Sequence, residues 1–166
     1  EVIMEIIKPR LQTNGGNIIG VQLDNEIGML SWVSNTPDLT EYLIEDFVKW
    51  LKEKYDVSTL SNRYPFNLED YESRIQFIRS PREEYTSELH FDLGYYMRNR
   101  FARYVHELRR YCEEFGVKDI PFVINIHGTG GGRGFTYPIG ISQLFESYTQ
   151  APGYISGSDI YFGNLN

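Results

Sequence analysis

The chain has 166 residues, enough for one domain with a sizeable core, and its 41% hydrophobic and 23% charged residues exclude a disordered polymer. A formal net charge of −7, with Arg98, Arg100 and Arg103 interleaved with acids such as Glu107, excludes the basic face that grips a nucleic-acid backbone. No apolar run approaches the ~20 residues that span a bilayer. Residues 1–10 lack the basic-then-apolar shape of a signal peptide, which points to a cytoplasmic setting, and the single Cys112 excludes an internal disulfide framework.

In chain order, Val2, Ile3, Ile6 and Ile7 predict the end of an amphipathic helix, closed by Pro9 and turned by Thr13-Asn14-Gly15-Gly16. Residues 17–25 read as a strand with Ile19, Val21 and Leu23 on one face and Gly20, Gln22 and Asp24 on the other. Thr36-Pro37-Asp38 is a helix start, and Leu39, Leu43, Phe47, Trp50 and Leu51 line one side of a helix ending near Tyr55. Residues 56–83 are polar and irregular, with Pro65 and Pro81, and read as an insertion holding at most short helices.

From about Glu84 a long helix carries Phe91, Tyr95, Phe101, Val105, Leu108, Cys112 and Phe115 at helical spacing, and Gly116 ends it. Residues 121–127 form the next strand, 128–134 a glycine-rich loop, 141–148 a short helix and 154–161 a third strand. Helices alternating with strands predict a parallel sheet with crossover helices, an α/β fold. Three strands do not close a (β/α)8 barrel, which takes roughly 250 residues. The chain is expected to be cut from a larger α/β protein rather than to be a small open domain.

Each strand ends in polar groups: Asp24-Asn25-Glu26, Asn125-Ile126-His127 and Asp159-Ile160-Tyr161. Loops converge at the C-terminal ends of parallel strands, so these residues are candidate site residues. Glycoside cleavage needs two carboxyl groups flanking the scissile bond, one held protonated. A strand-end glutamate partly shielded from water, such as Glu26, suits that acid, and the Asn25 amide suits a sugar hydroxyl. Asp24 reads instead as a hydrogen-bonded acid of the interior. Strict alternation would send Asn25 and Glu26 to opposite faces, so a shared cleft requires a bulge or the end of pairing at 24–26.

The aromatic content of 15% fits core packing, or rings lining a cleft for a sugar. Trp32 either stacks on a sugar or packs the loop over the rim, and His127 either bonds substrate or packs its loop. His90, His106, His127 and Cys112 show no metal-ligand spacing, and no motif asks for an organic cofactor. Residues 128–134 lack both the Gly-Lys-Ser/Thr ending and any Gly-x-Gly-x-x-Gly frame. They read as a lid or substrate loop, with Arg133 able to reach the cleft. No Gly-x-Ser-x-Gly occurs.

The run Gly15-Gly16-Asn17-Ile18-Ile19-Gly20-Val21-Gln22-Leu23-Asp24-Asn25-Glu26-Ile27-Gly28 resembles the fourth-strand signature of glycoside hydrolase family 35, the β-galactosidases. It departs at Asn17 for Pro, Asp24 for Glu and Ile27 for an aromatic. The Asp-Asn-Glu form and the long helix after it are closer to family 42. Ser158-Asp159-Ile160-Tyr161 is similar to the sixth-strand Trp-Asp-Asn-Tyr of that family, without the Trp, and residues 121–125 are similar to its fifth strand.

The resemblance implies that residues 1–166 are the central part, about strands four to six, of one clan A (β/α)8 catalytic domain with an insertion at 56–83. It implies a retaining glycosidase, most simply a β-galactosidase, with Glu26 as general acid/base and Asn25 as its sugar-binding neighbour. Asn125, His127, Asp159, Tyr161 and Trp32 are the other candidates for contact with a carbohydrate substrate. The nucleophile, a second Glu on the seventh strand, would lie outside this chain, which leaves the fragment alone inactive. No metal, cofactor, nucleic acid or membrane partner is implied. A non-catalytic carbohydrate-binding relative and another clan A hydrolase, such as a β-glucosidase or mannanase, remain open alternatives.

Overall fold

The computed structural model describes residues 1–28, 39–80, 84–126 and 145–158. Helix α1 (Val2–Ile7) runs into two short 3-10 turns, Lys8–Arg10 and Gln12–Asn14, and Gly15 ends the second in the left-handed region at φ 84°. Strand β1 (Val21–Gln22) follows. Helices α2 (Glu41–Lys54), α3 (Val57–Arg63), α4 (Tyr71–Ile78) and α5 (Ser87–Glu114) come next, then β2 (Phe122–Ile126), α6 (Phe145–Gln150) and β3 (Tyr154–Ser158). The strands form one parallel sheet in the order β1-β2-β3, with Val21 opposite Phe122 and Phe122 opposite Tyr154. The architecture is α/β as expected; within the described residues the sheet is open, with three strands.

The helix starts follow capping chemistry. Thr40, Asp56, Asp70 and Thr86 each accept a hydrogen bond from a first-turn backbone N–H, opening α2, α3, α4 and α5. The cap of α2 is therefore Thr40; the expected start at Thr36-Pro37 lies outside the described residues. Gly116, at φ 85°, closes α5 as its sequence predicts. Gly116 N–H donates to Glu113 O and Val117 N–H donates to Cys112 O, which satisfies two carbonyls of the last turn.

Two hydrophobic cores share α5. The first holds Leu43, Ile44, Phe47, Val48 and Leu51 of α2 against Leu60, Tyr64, Leu68 and Ile78, and Leu89, Leu93, Tyr96 and Met97 of α5. The second packs Leu11, Leu23 and Ile27 with Val105, Cys112, Val117, Phe122 and Ile124 beneath the sheet. Among the described residues 56–80 there are two short helices, as expected, and they complete the core shared with α2 and α5.

Three expectations about faces need correction. Phe91 and Tyr95, expected on the apolar side of the long helix, are 71% and 41% exposed. The reason is geometric. At about 100° per residue, Leu89, Leu93, Tyr96 and Met97 lie on a face rotated by roughly 100° from that of Phe101, Val105, Leu108 and Cys112. A single stripe drawn along the helix fits only its second half. Ile19, expected beside Val21 and Leu23, is 68% exposed, because regular pairing covers only Val21 and Gln22 and Ile18 turns to the core instead. Val2, Ile3 and Ile6 present the aliphatic side of α1 outward, while Met4 and Ile7 pack on the second core.

Candidate functional site

Residues 21–28 carry the candidate site. Leu23 N–H donates to Val123 O at 2.8 Å, the last bond of β1 to its neighbour. The chain then leaves the strand. Asp24 and Glu26 both take positive φ, 61° and 52°, the left-handed region that residues other than Gly, Asn and Asp rarely enter. The expected break in alternation at 24–26 is therefore an end of pairing followed by two left-handed residues. Asn25 and Glu26 leave strand geometry together, with Asn25 exposed and Glu26 half-buried.

A hydrogen-bond network holds this turn. Asp24 Oδ1 accepts from the backbone N–H of Asn25 at 2.7 Å, and Asp24 Oδ2 accepts from the Tyr104 hydroxyl of α5 at 2.8 Å. Gln22 Nε2 donates to the Asp24 carbonyl at 3.1 Å and to Asn25 Oδ1 at 3.0 Å. Asn125, near the end of β2, donates from Nδ2 to Asn25 Oδ1 at 3.1 Å and accepts the backbone N–H of Glu26 on Oδ1 at 3.0 Å. The carboxylate of Asp24 raises the Tyr104 phenol above its ordinary pKa through their hydrogen bond, aided by partial burial. Asp24 is hydrogen-bonded as expected but exposed rather than interior.

Asn125 reaches this turn because strand alternation puts it on the sheet face opposite Phe122 and Ile124, which are buried under the helices. It is itself only 5% exposed. Close packing on the next strand fits this: a Cβ built on Gly157 of β3 would meet the Asn125 Cβ at 3.5 Å. The structure thus brings together Asn25, Glu26 and Asn125. His127, Asp159, Tyr161, Trp32 and the loop 128–134 lie outside the described residues.

Sequence reasoning missed Tyr104 and the structural use of Gln22. Gln22 was visible in the strand signature, but nothing in a single sequence ties a mid-helix tyrosine to an aspartate 80 residues earlier. His106 sits deeper, with Nδ1 2.7 Å from the Tyr154 hydroxyl of β3. Burial, with the nearby Arg109, lowers its pKa, so the pair reads as a neutral link between α5 and the sheet. Among the described residues no three His, Cys, Asp or Glu side chains converge to hold a metal ion, and no helix is long and apolar enough to cross a membrane.

No family model matches the chain. A β-1,2-glucosyltransferase of Ignavibacterium album is 26% identical over 164 residues, which covers 95% of this chain and 22% of that protein. An exo-β-D-glucosaminidase of Thermococcus kodakarensis is 32% identical over 131 residues, covering 74% of this chain and 16% of that protein. A second exo-β-D-glucosaminidase, from Pyrococcus horikoshii, is 31% identical over 123 residues. The chain spans about a fifth of the length of these curated relatives or less.

Proposed function

We propose that this chain is the acid/base-bearing part of a (β/α)8-barrel enzyme that cleaves or transfers β-linked sugars with retention, Glu26 being the proton donor and acceptor. The observation that carries this reading is the placement of Glu26. It stands just beyond the C-terminal end of a parallel strand, half-buried, in a left-handed turn bonded to the end of the adjacent strand. Catalytic groups of parallel barrels collect at that end of the sheet. The similarity to proteins named for glucosyl transfer and glucosaminide cleavage supports a carbohydrate substrate.

The chemistry runs in two steps. A carboxylate outside these 166 residues attacks the anomeric carbon while the Glu26 carboxyl gives its proton to the departing glycosidic oxygen. Glu26, now a carboxylate, then takes a proton from the acceptor hydroxyl as that oxygen displaces the enzyme carboxylate. Water as acceptor gives hydrolysis; a sugar hydroxyl gives transfer, which the match to a glucosyltransferase across 95% of this chain favours as a second reading. The names of the relatives point to gluco-configured substrates and lend none to the galactoside expectation. A panel of β-glucosides, β-glucosaminides and β-galactosides, run with and without an acceptor sugar, separates these outcomes.

The acid/base role is tested with Glu26→Gln in the full-length protein. Glycosides with poor leaving groups should lose about 10²–10⁴-fold in rate, whereas activated aryl glycosides should lose far less in the first step. Equal rates of the variant and the parent on alkyl glycosides would overturn the assignment.

A further inference from the structure

The geometry points to Asn125 as a positioning residue that fixes both the backbone of Glu26 and the polarity of the Asn25 amide; this rests on the acid/base reading of Glu26. A backbone N–H can only donate, so the atom of Asn125 facing Glu26 N must be Oδ1, at 3.0 Å. That choice turns Nδ2 toward Asn25, where it donates to Oδ1 at 3.1 Å. Gln22 Nε2 donates to the same oxygen at 3.0 Å. Two donors on one oxygen settle the Asn25 amide, so its NH2 is the end that can donate to a ligand. The substrate group next to Asn25 is therefore met by a donor, not by a carbonyl.

The clamp matters most at Glu26, because the left-handed conformation it adopts is disfavoured for L-residues other than Asn and Asp. Such a conformation persists where surrounding groups over-determine it. Asn125 is suited to this task in a way its neighbours in chemistry are not. It is 5% exposed, so its bonds do not compete with bulk water, and one side chain both accepts from Glu26 and donates to Asn25. An aspartate here would keep the first bond and set its second oxygen against Asn25 Oδ1. An alanine would lose both.

The test uses Asn125→Ala and Asn125→Asp in the full-length enzyme, with Glu26→Gln and the Glu26→Gln/Asn125→Ala double variant beside them. A shift of about 1 Å in the acid costs on the order of 10²-fold. Each Asn125 variant should lose about 10–100-fold in kcat/KM on poor leaving groups and less than about 3-fold on activated ones. A variant that merely folds less well would lose both activities in proportion. The double variant should be no more leaving-group-selective than Glu26→Gln alone, because coupled residues are non-additive. Proportional loss on both substrates, or additive selectivity in the double variant, would overturn the role of Asn125. If Glu26→Gln itself shows no leaving-group selectivity, the acid/base reading has failed instead.

Discussion

At the scale of single residues, the site turn works by dividing hydrogen-bonding capacity. The Asp24 carboxylate spends one oxygen on the turn itself, through Asn25 N–H, and the other on Tyr104 of the long helix. Tyr104→Phe removes the second link without changing shape. Since a net hydrogen bond is worth about 0.5–1.5 kcal/mol and Asp24 is exposed, the stability loss in a denaturant titration should stay below about 1.5 kcal/mol. A loss several times larger would mean that Tyr104 packs as part of the core rather than anchoring the turn. Much of this scale was legible beforehand. Glu26, Asn25 and the break in alternation all follow from one strand signature. Tyr104 was not legible, because its partner is remote in the chain and its own helix gives no sign of it.

At the scale of elements, Asp92 is the tie between the helices. Its side chain is 3% exposed and accepts from Lys54 at 3.0 Å, Tyr55 at 2.8 Å, Arg63 at 2.8 Å and Tyr64 at 2.7 Å, joining α2, α3 and α5. Burial alone pushes its carboxyl up, but the donors Arg63, Tyr64, Tyr55 and Lys54 together outweigh it and hold the pKa below its usual 3.8. A carboxyl depressed in the folded state contributes stability that is complete above its unfolded pKa, about 3.9, and is lost as pH falls through the lower folded value. Thermal melts between pH 6 and pH 2 should therefore show a decline below about pH 4 that is shallower in Asp92→Asn. At pH 7 Asp92→Ala should cost about 3–5 kcal/mol, since it leaves Lys54 and Arg63 facing each other without their counter-charge. A flat pH response shared by parent and variant would contradict this.

Sequence patterning at this scale succeeded and failed for the same reason. Helix α2 has one apolar face, and the expected Leu43, Phe47 and Leu51 are buried on it together with Ile44 and Val48. Helix α5 serves two cores, so its pattern turns part-way along, and Phe91 and Tyr95 fall on the outside. Periodicity reports a face only where one partner lies beneath the whole helix.

At the scale of the molecule, α5 carries load between a helical core shared with α2, α3 and α4 and a core beneath the sheet. Phe47, fully buried against Tyr96 with ring centroids 5.1 Å apart, sits at the centre of the first core. Phe47→Ala should destabilise by about 3–5 kcal/mol in a denaturant titration. A cost under about 1 kcal/mol would contradict the place of Phe47 in that core. The parallel order of the strands was legible from the alternation of elements, whereas the core formed with residues 56–80 was not. Its residues are spread over a largely polar stretch whose buried positions, Leu60, Tyr64, Leu68 and Ile78, make sense only once α2 and α5 are beside them.

All three scales meet in Glu26, and its role has a direct chemical readout. In the full-length Glu26→Ala variant, an activated aryl β-glycoside still forms the glycosyl-enzyme, but no side chain remains to deprotonate water for its release. Azide needs no deprotonation. Added azide should therefore restore turnover at least about 10-fold and yield the β-glycosyl azide, with configuration retained. A variant that turns over normally without azide, or one that azide leaves unrescued while the glycosyl-enzyme accumulates, would contradict the assignment of Glu26 as the acid/base.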